Sequence, residues 1–269
     1  MEIFKIIILG VIQGITEFLP VSSSGHLAVA SKLFGINDNA LLIAVVLHAG
    51  SLFSILAVYY KEILKIFKEQ RNMIPVIITA IVPIGIVGFA FELFHLGDKL
   101  FENMFVVSGG LFLTSMLLFF GMKKSIADDK NEGKEFERIS YKDALIVGLL
   151  QCIAILPGVS RSGTTISTAL RLNIKRESAA SFSFIIALPV IGAAAFLKMF
   201  EYIMHLKDSS VSVHHIPGIT LFAGFAASAV VGVISLKFLI YTVKEGKLNI
   251  FAYYCLCLSL IILTIAIWW

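Results

Sequence analysis

The chain has 269 residues, 58% of them hydrophobic and only 15% charged, with a mean hydropathy of +0.92. A water-soluble core cannot account for so much apolar side chain, which points to an all-α integral membrane protein. The net charge of +4 sits mainly in short basic connections, where it favours anionic lipid and gives no argument for nucleic acid.

In chain order, residues 3–31 come first. They are apolar apart from Glu17, the only charge between Lys5 and Lys32, and they carry Gly10-x-x-Gln13 followed by Leu19-Pro20-Val-Ser22-Ser23-Ser24-Gly25-His26. Ala28-Val-Ala30 resembles a cleavage site, but Glu17 and Pro20 interrupt the run that a removable signal needs. The segment is long enough for two half-length helices broken at 20–25, where Pro and Gly suit a sharp turn and Ser satisfies freed backbone groups. Charge-free windows follow at 40–60, 73–91 and 103–122, each about the 20 residues that cross the hydrocarbon. A charged connection spans 123–141.

Residues 142–171 then repeat the opening pattern. Gly148-x-x-Gln151 precedes Leu156-Pro157-Gly158-Val159-Ser160-Arg161-Ser162-Gly163, and Arg161 is the only charge between Asp143 and Arg171. A break is expected at 157–163. Three more windows follow at 178–197, 216–236 and 248–269. Pro83 and Pro189 fall inside windows and are tolerable there, because neighbouring helices can re-satisfy the freed backbone groups.

Of 22 Lys and Arg, 16 lie in 61–71, 123–142, 171–176 and 237–247. The positive-inside rule puts these stretches in the cytoplasm and both termini outside. Each half then holds one re-entrant helical hairpin and three spans. Three is odd, so the second half (142–269) is inverted relative to the first (1–122). The two hairpins enter from opposite sides and their tips meet near the midplane, lining a cavity. Two straight spans, one in place of each hairpin, are the plainer alternative.

At the tips, glycine-flanked serines opening a helix offer backbone N–H groups, hydroxyl donors and a favourable dipole for an anion. Ser22, Ser24, Ser160, Ser162, Gly163 and Thr165 are the phosphate-binding candidates, with Arg161, whose planar fork of donors matches phosphate oxygens. Gln13 and Glu17 share a helical face, and Glu17 with Gln13 beside it can take a divalent cation, Mg2+ or Ca2+. Ser22, Ser23 and Ser24 offer a nucleophile, and His26, three residues after Ser23, is within reach for proton transfer. Together these are the parts of phosphoryl transfer.

The motifs Gln13-x-x-x-Glu17, Pro20-Val-Ser-Ser-Ser-Gly-His26 and Pro157-Gly-Val-Ser-Arg-Ser-Gly-Thr-Thr165 resemble those of the bacterial undecaprenyl-diphosphate phosphatases, the BacA/UppP family linked to bacitracin resistance. The resemblance covers essentially the whole chain. It implies a bacterial plasma-membrane enzyme, often dimeric, that takes the terminal phosphate from undecaprenyl diphosphate with a divalent metal and recycles the carrier lipid of cell-wall synthesis. Carried over by position, Ser23 is the nucleophile, Glu17 and His26 are the acid–base or metal-linked groups, and Arg161 grips phosphate.

Plainer readings exist for these residues. Glu17 and Arg161 can be a structural ion pair, and serines cap helices anywhere. An ion-coupled transporter, or a flippase for the polyprenyl phosphate, would use the same broken-helix architecture but has no need of a hydroxyl nucleophile. His48 stands alone in an apolar window and reads as a packing or interhelical hydrogen-bond residue. His214 and His215 read as solvated in an outer loop. Cys152, Cys255 and Cys257 sit in apolar segments, with neither a disulfide nor a metal pair expected.

Overall fold

The computed structural model describes residues 2–36, 40–94, 96, 100, 103–127, 133–206 and 216–268. His214 and His215 lie outside the described residues. Within them the chain forms α1 (Glu2–Thr16), α2 (Ser23–Phe34), α3 (Ala40–Lys68), α4 (Met73–Leu93) and α5 (Met104–Ala127). The order continues with α6 (Tyr141–Gln151), α7 (Arg161–Arg171), α8 (Arg176–Leu206), α9 (Gly218–Lys244) and α10 (Asn249–Trp268).

Among the described residues, six helices are long and apolar enough to cross a membrane: α3, α4, α5, α8, α9 and α10. They fall on the six sequence windows. Several run further, α3 to Lys68 and α9 to Lys244, because a helix keeps its backbone bonds past the point where charges begin. Exposed apolar residues such as Phe53, Phe89, Phe196 and Trp268 cover their outer faces, as contact with lipid requires.

The other four helices are shorter. At 15, 12, 11 and 11 residues, α1, α2, α6 and α7 reach at most about 22 Å against about 30 Å of hydrocarbon. The breaks between them differ from the expected bounds. Residues 23–25 and 161–163, read from sequence as turn, already form the first turns of α2 and α7. In the second hairpin the reason is local: Ser160 is the N-cap, and its side chain accepts from the Gly163 N–H at 3.2 Å.

Packing exchanges partners between the halves. Helix α1 lies along α9, and α6 lies along α4. The α1–α9 approach depends on small residues at a spacing of four, Gly10 and Gly14 facing Gly224, Ser228 and Gly232. A Cβ on Gly14 would stand 2.7 Å from the Ser228 carbonyl oxygen and 2.8 Å from the Gly232 nitrogen. Such closeness lets backbones meet where lipid supplies no hydrophobic drive. Helices α5 and α10 are tied reciprocally: each of Ser108 and Ser259 donates its hydroxyl to the other's carbonyl at 2.9 Å. The core draws on both halves, and Phe18 beside the first turn meets Phe184 of α8 edge to face at 5.8 Å.

The connection after α5 is pinned where it is described. The Lys175 N–H donates to the Lys134 carbonyl at 2.9 Å, and Lys134 Nζ reaches Asp143 at 2.7 Å. Asp143 also closes a capping box with Ser140 at the start of α6. Burial pushes this carboxyl up, but the bonds from Lys134 and Ser140 prevail and hold it below its ordinary value near 3.8.

Candidate active site

Helix α1 ends one residue before Glu17, and α2 begins at Ser23. Four residues of backbone between Glu17 and Ser22 fold the chain back, so that the Ser23 hydroxyl donates to Glu17 Oε2 at 2.7 Å. Gln13, one turn before Glu17, donates its amide to the same oxygen at 3.1 Å and to Ser51 of α3 at 3.3 Å. Ser51 in turn meets the Ser228 hydroxyl of α9 at 3.3 Å. A polar chain thus runs from the carboxylate into the α1–α3–α9 contact and fixes Glu17 from behind.

Arg161 comes from the other turn. Its Nη2 donates to Glu17 Oε1 at 3.2 Å across 144 residues of sequence. The turns themselves touch, since a Cβ on Gly163 would lie 3.3 Å from Pro20 Cβ. Each is braced by a span. Thr114 of α5 accepts from the Ser160 N–H at 2.9 Å and donates to the Gly158 carbonyl at 3.1 Å, and Cys255 of α10 donates to the Pro20 carbonyl at 3.3 Å. Glu17 is 8% exposed and the Arg161 side chain 14%, and Ser23 is half-buried.

Two buried atoms here make no protein hydrogen bond: Nη1 of Arg161 and Oε1 of Gln13. A buried donor and a buried acceptor left open cost stability unless something else meets them. The guanidinium edge suits a phosphate oxygen, and the amide oxygen beside a carboxylate suits a hard cation. Among the described residues no group of three or more His, Cys, Asp or Glu converges, so a cation here would complete its shell with phosphate oxygens or water.

The other sequence candidates divide. Ser22 and Ser24 pair their hydroxyls at 3.3 Å inside the first turn. Ser160 and Ser162 pair at 3.2 Å in the second, where the Gly163 N–H is already taken by the Ser160 cap. Thr165 bonds Ser183 of α8 at 2.5 Å and the Arg161 carbonyl at 2.9 Å, contacts that tie α7 to α8. His26 is not directed at Ser23. Its ring nitrogens meet the Ser22 carbonyl at 2.8 Å and the Tyr254 hydroxyl at 2.7 Å, because a side chain in the first turn of α2 leans back toward the helix N-terminus and onto the residue four before it. Two residues escaped the sequence reading. His48, read as a packing or interhelical hydrogen-bond residue, has Nε2 3.9 Å from Glu17 Oε2. A lone histidine carries little signal, but Ser51 three positions on marks the same face of α3. Tyr254 had no signal at all. The three cysteines are free.

Among the described residues, six apolar helices around two pairs of short polar helices, with a serine–carboxylate pair facing an arginine, define a polytopic helical membrane protein with a polar centre. The family described as bacitracin resistance protein BacA matches residues 6–261, and the chain belongs to it. Similar proteins named undecaprenyl-diphosphatase occur in Halothermothrix orenii, at 38% identity over 270 residues and 99% of each chain, and in Carboxydothermus hydrogenoformans, at 37% over 267 residues and 98% of each. One from Bacteroides fragilis is 39% identical over 277 residues, again 99% of each chain.

Proposed function

We infer that this protein is a membrane diphosphatase that hydrolyses undecaprenyl diphosphate to undecaprenyl phosphate and inorganic phosphate, returning carrier lipid to cell-wall synthesis. One observation carries the chemistry: Ser23 donates to one oxygen of Glu17 while Arg161, from the opposite turn, holds the other. The family and the relatives' names supply the substrate. They are names of an enzyme, which sets the transporter reading aside.

Ser23 Oγ attacks the terminal phosphorus, and its proton passes to Glu17 Oε2. The bond from that phosphorus to the bridging oxygen breaks, and polyprenyl phosphate leaves. Glu17 gives its proton to solvent. Water then attacks the phosphoserine, and Glu17 carries the water proton to the departing Ser23 oxygen, which restores the hydroxyl and releases phosphate. Arg161 grips the transferring phosphate through its open Nη1, and the hydroxyls of Ser22, Ser24, Ser160 and Ser162 lie on the turns around it. Glu17 and Gln13 are the residues that would hold a divalent cation, which when bound supplies further neutralisation of phosphate charge.

The exchanged packing of α1 on α9 and α6 on α4 supports an inverted repeat over 1–122 and 142–269. The shortness of α1, α2, α6 and α7 supports re-entrant hairpins. With the basic connections inside, the first hairpin enters from outside and the site opens outward. A homodimer rests on the family resemblance alone. Phosphate release from a C55 polyprenyl diphosphate by the purified protein, with and without chelator, tests the reading. Release that stops with chelator supports both substrate and cation; no release under any metal condition overturns the assignment.

A further inference from the structure

Tyr254 lies on α10, outside both turns and every motif in the sequence. Its hydroxyl oxygen is 2.7 Å from His26 Nε2, and the two rings lie nearly parallel, 14° apart with centroids at 5.9 Å. On the far edge of the imidazole, Nδ1 is 2.8 Å from the Ser22 carbonyl oxygen. A carbonyl only accepts, so Nδ1 carries the hydrogen, and Nε2 of the neutral ring accepts from the phenol. Both nitrogens are committed, and the ring has one tautomer and one orientation.

The carbonyl at the end of this chain belongs to an unusual residue. Ser22 sits at φ 68°, ψ 95°, a left-handed conformation that costs a serine about 1–3 kcal/mol unless its surroundings impose it. It directly precedes Ser23. The next residue after Tyr254, Cys255, donates to the Pro20 carbonyl in the same turn. Helix α10 therefore holds the nucleophile's turn at two adjacent points, one direct and one through His26.

Resting on the reading of Ser23 as nucleophile, we propose that Tyr254 is a positioning residue for phosphoryl transfer, locking His26 as the Nδ1–H tautomer so that the imidazole clamps the Ser22 carbonyl and aims Ser23 at Glu17. His26 then contributes by geometry, and Glu17 is the base. Without the phenol hydroxyl, the Nε2–H tautomer becomes accessible. Nδ1 then has no hydrogen for Ser22, and the turn loses its clamp.

The test compares wild type with Tyr254→Phe in detergent, reading the imidazole 15N shifts of labelled protein (assigned with His26→Gln), thermal midpoint, kcat and KM. The expected result is a protonated Nδ1 in wild type and a shift toward Nε2–H in Tyr254→Phe. Turnover should fall about tenfold or more with KM nearly unchanged, since a small misplacement of a reacting group is costly. A Phe variant with the wild-type tautomer, or with wild-type kcat, overturns the proposal. The spectra need no turnover, so a wild type inactive on polyprenyl diphosphate would refute the proposed function while the tautomer shift still decided whether the lock exists.

Discussion

In the first hairpin the chain leaves α1 at Thr16 and enters α2 through a serine at φ 68°; in the second it leaves α6 at Gln151 and enters α7 past a glycine at φ 88°. The second turn follows ordinary rules. Glycine takes the left-handed position at no steric cost, and Ser160 caps the helix. The first breaks them: serine takes the left-handed position, and Ser22 makes no capping bond to α2. Four residues after each glutamine stand Glu17 and Ile155. Gln13 bonds its carboxylate, whereas Gln151, fully buried, finds no protein partner for either amide atom. Strain and reactive groups collect in one copy, while the regular copy presents a single arginine. Under the proposed mechanism, one of two similar turns does the chemistry and the other holds the phosphate.

That division can be broken at several points. Ser23→Ala should reduce turnover about a thousandfold or more while thermal unfolding is unchanged, because no second hydroxyl contacts Glu17 among the described residues. Near-wild-type phosphate release by the folded variant would remove this serine from the mechanism. Arg161→Lys keeps the charge and loses the fork, so kcat should fall about a hundredfold with folding intact; a kinetic assay showing full rescue by lysine would contradict a guanidinium that bonds Glu17 and phosphate at once. Ser22→Gly should stabilise the fold by about 1 kcal/mol by relieving the left-handed residue, yet slow the reaction. Chemical denaturation reads the first effect, and a destabilised variant would mean that the Ser22–Ser24 pair outweighs the strain.

The smallest effect lies outside the site. Asp143 is held below its ordinary value, so the stability it provides is present above about pH 4 and drains as pH falls through the lower folded-state value. Asp143→Asn should therefore cost on the order of 1 kcal/mol at neutral pH. The gap in thermal midpoint between variant and wild type should close in acid. A gap that stays constant down to pH 3 would mean that the carboxylate charge contributes nothing.

Much of this was legible in the residues. Twenty-residue stretches without charge found all six spans, because hydrocarbon tolerates little else, and the two isolated charges, Glu17 and Arg161, did meet. The helix ends were not legible, since charge marks where lipid stops and backbone bonding continues beyond it to Lys68 and Lys244. Turn residues were placed late, because Ser23 and Arg161 open helices that their own serines begin. His48 and Tyr254 reach the site only through the packing of α3 and α10. The small-residue spacing in α1 and α9 was a usable signal for that packing, with Gly10 and Gly14 matched by Gly224, Ser228 and Gly232.

The central claim is that Glu17 and Arg161 meet to handle phosphate rather than to lock the two halves. Thermal stability and phosphate release measured for Glu17→Gln, Arg161→Gln and the double variant test it most directly. A structural pair, broken on one side, would cost about 3–5 kcal/mol by stranding a buried charge, and removing both charges would restore it. The account predicts that all three variants fold, that each loses nearly all turnover, and that the double is no more stable than either single. A double variant markedly more stable than both singles would contradict it.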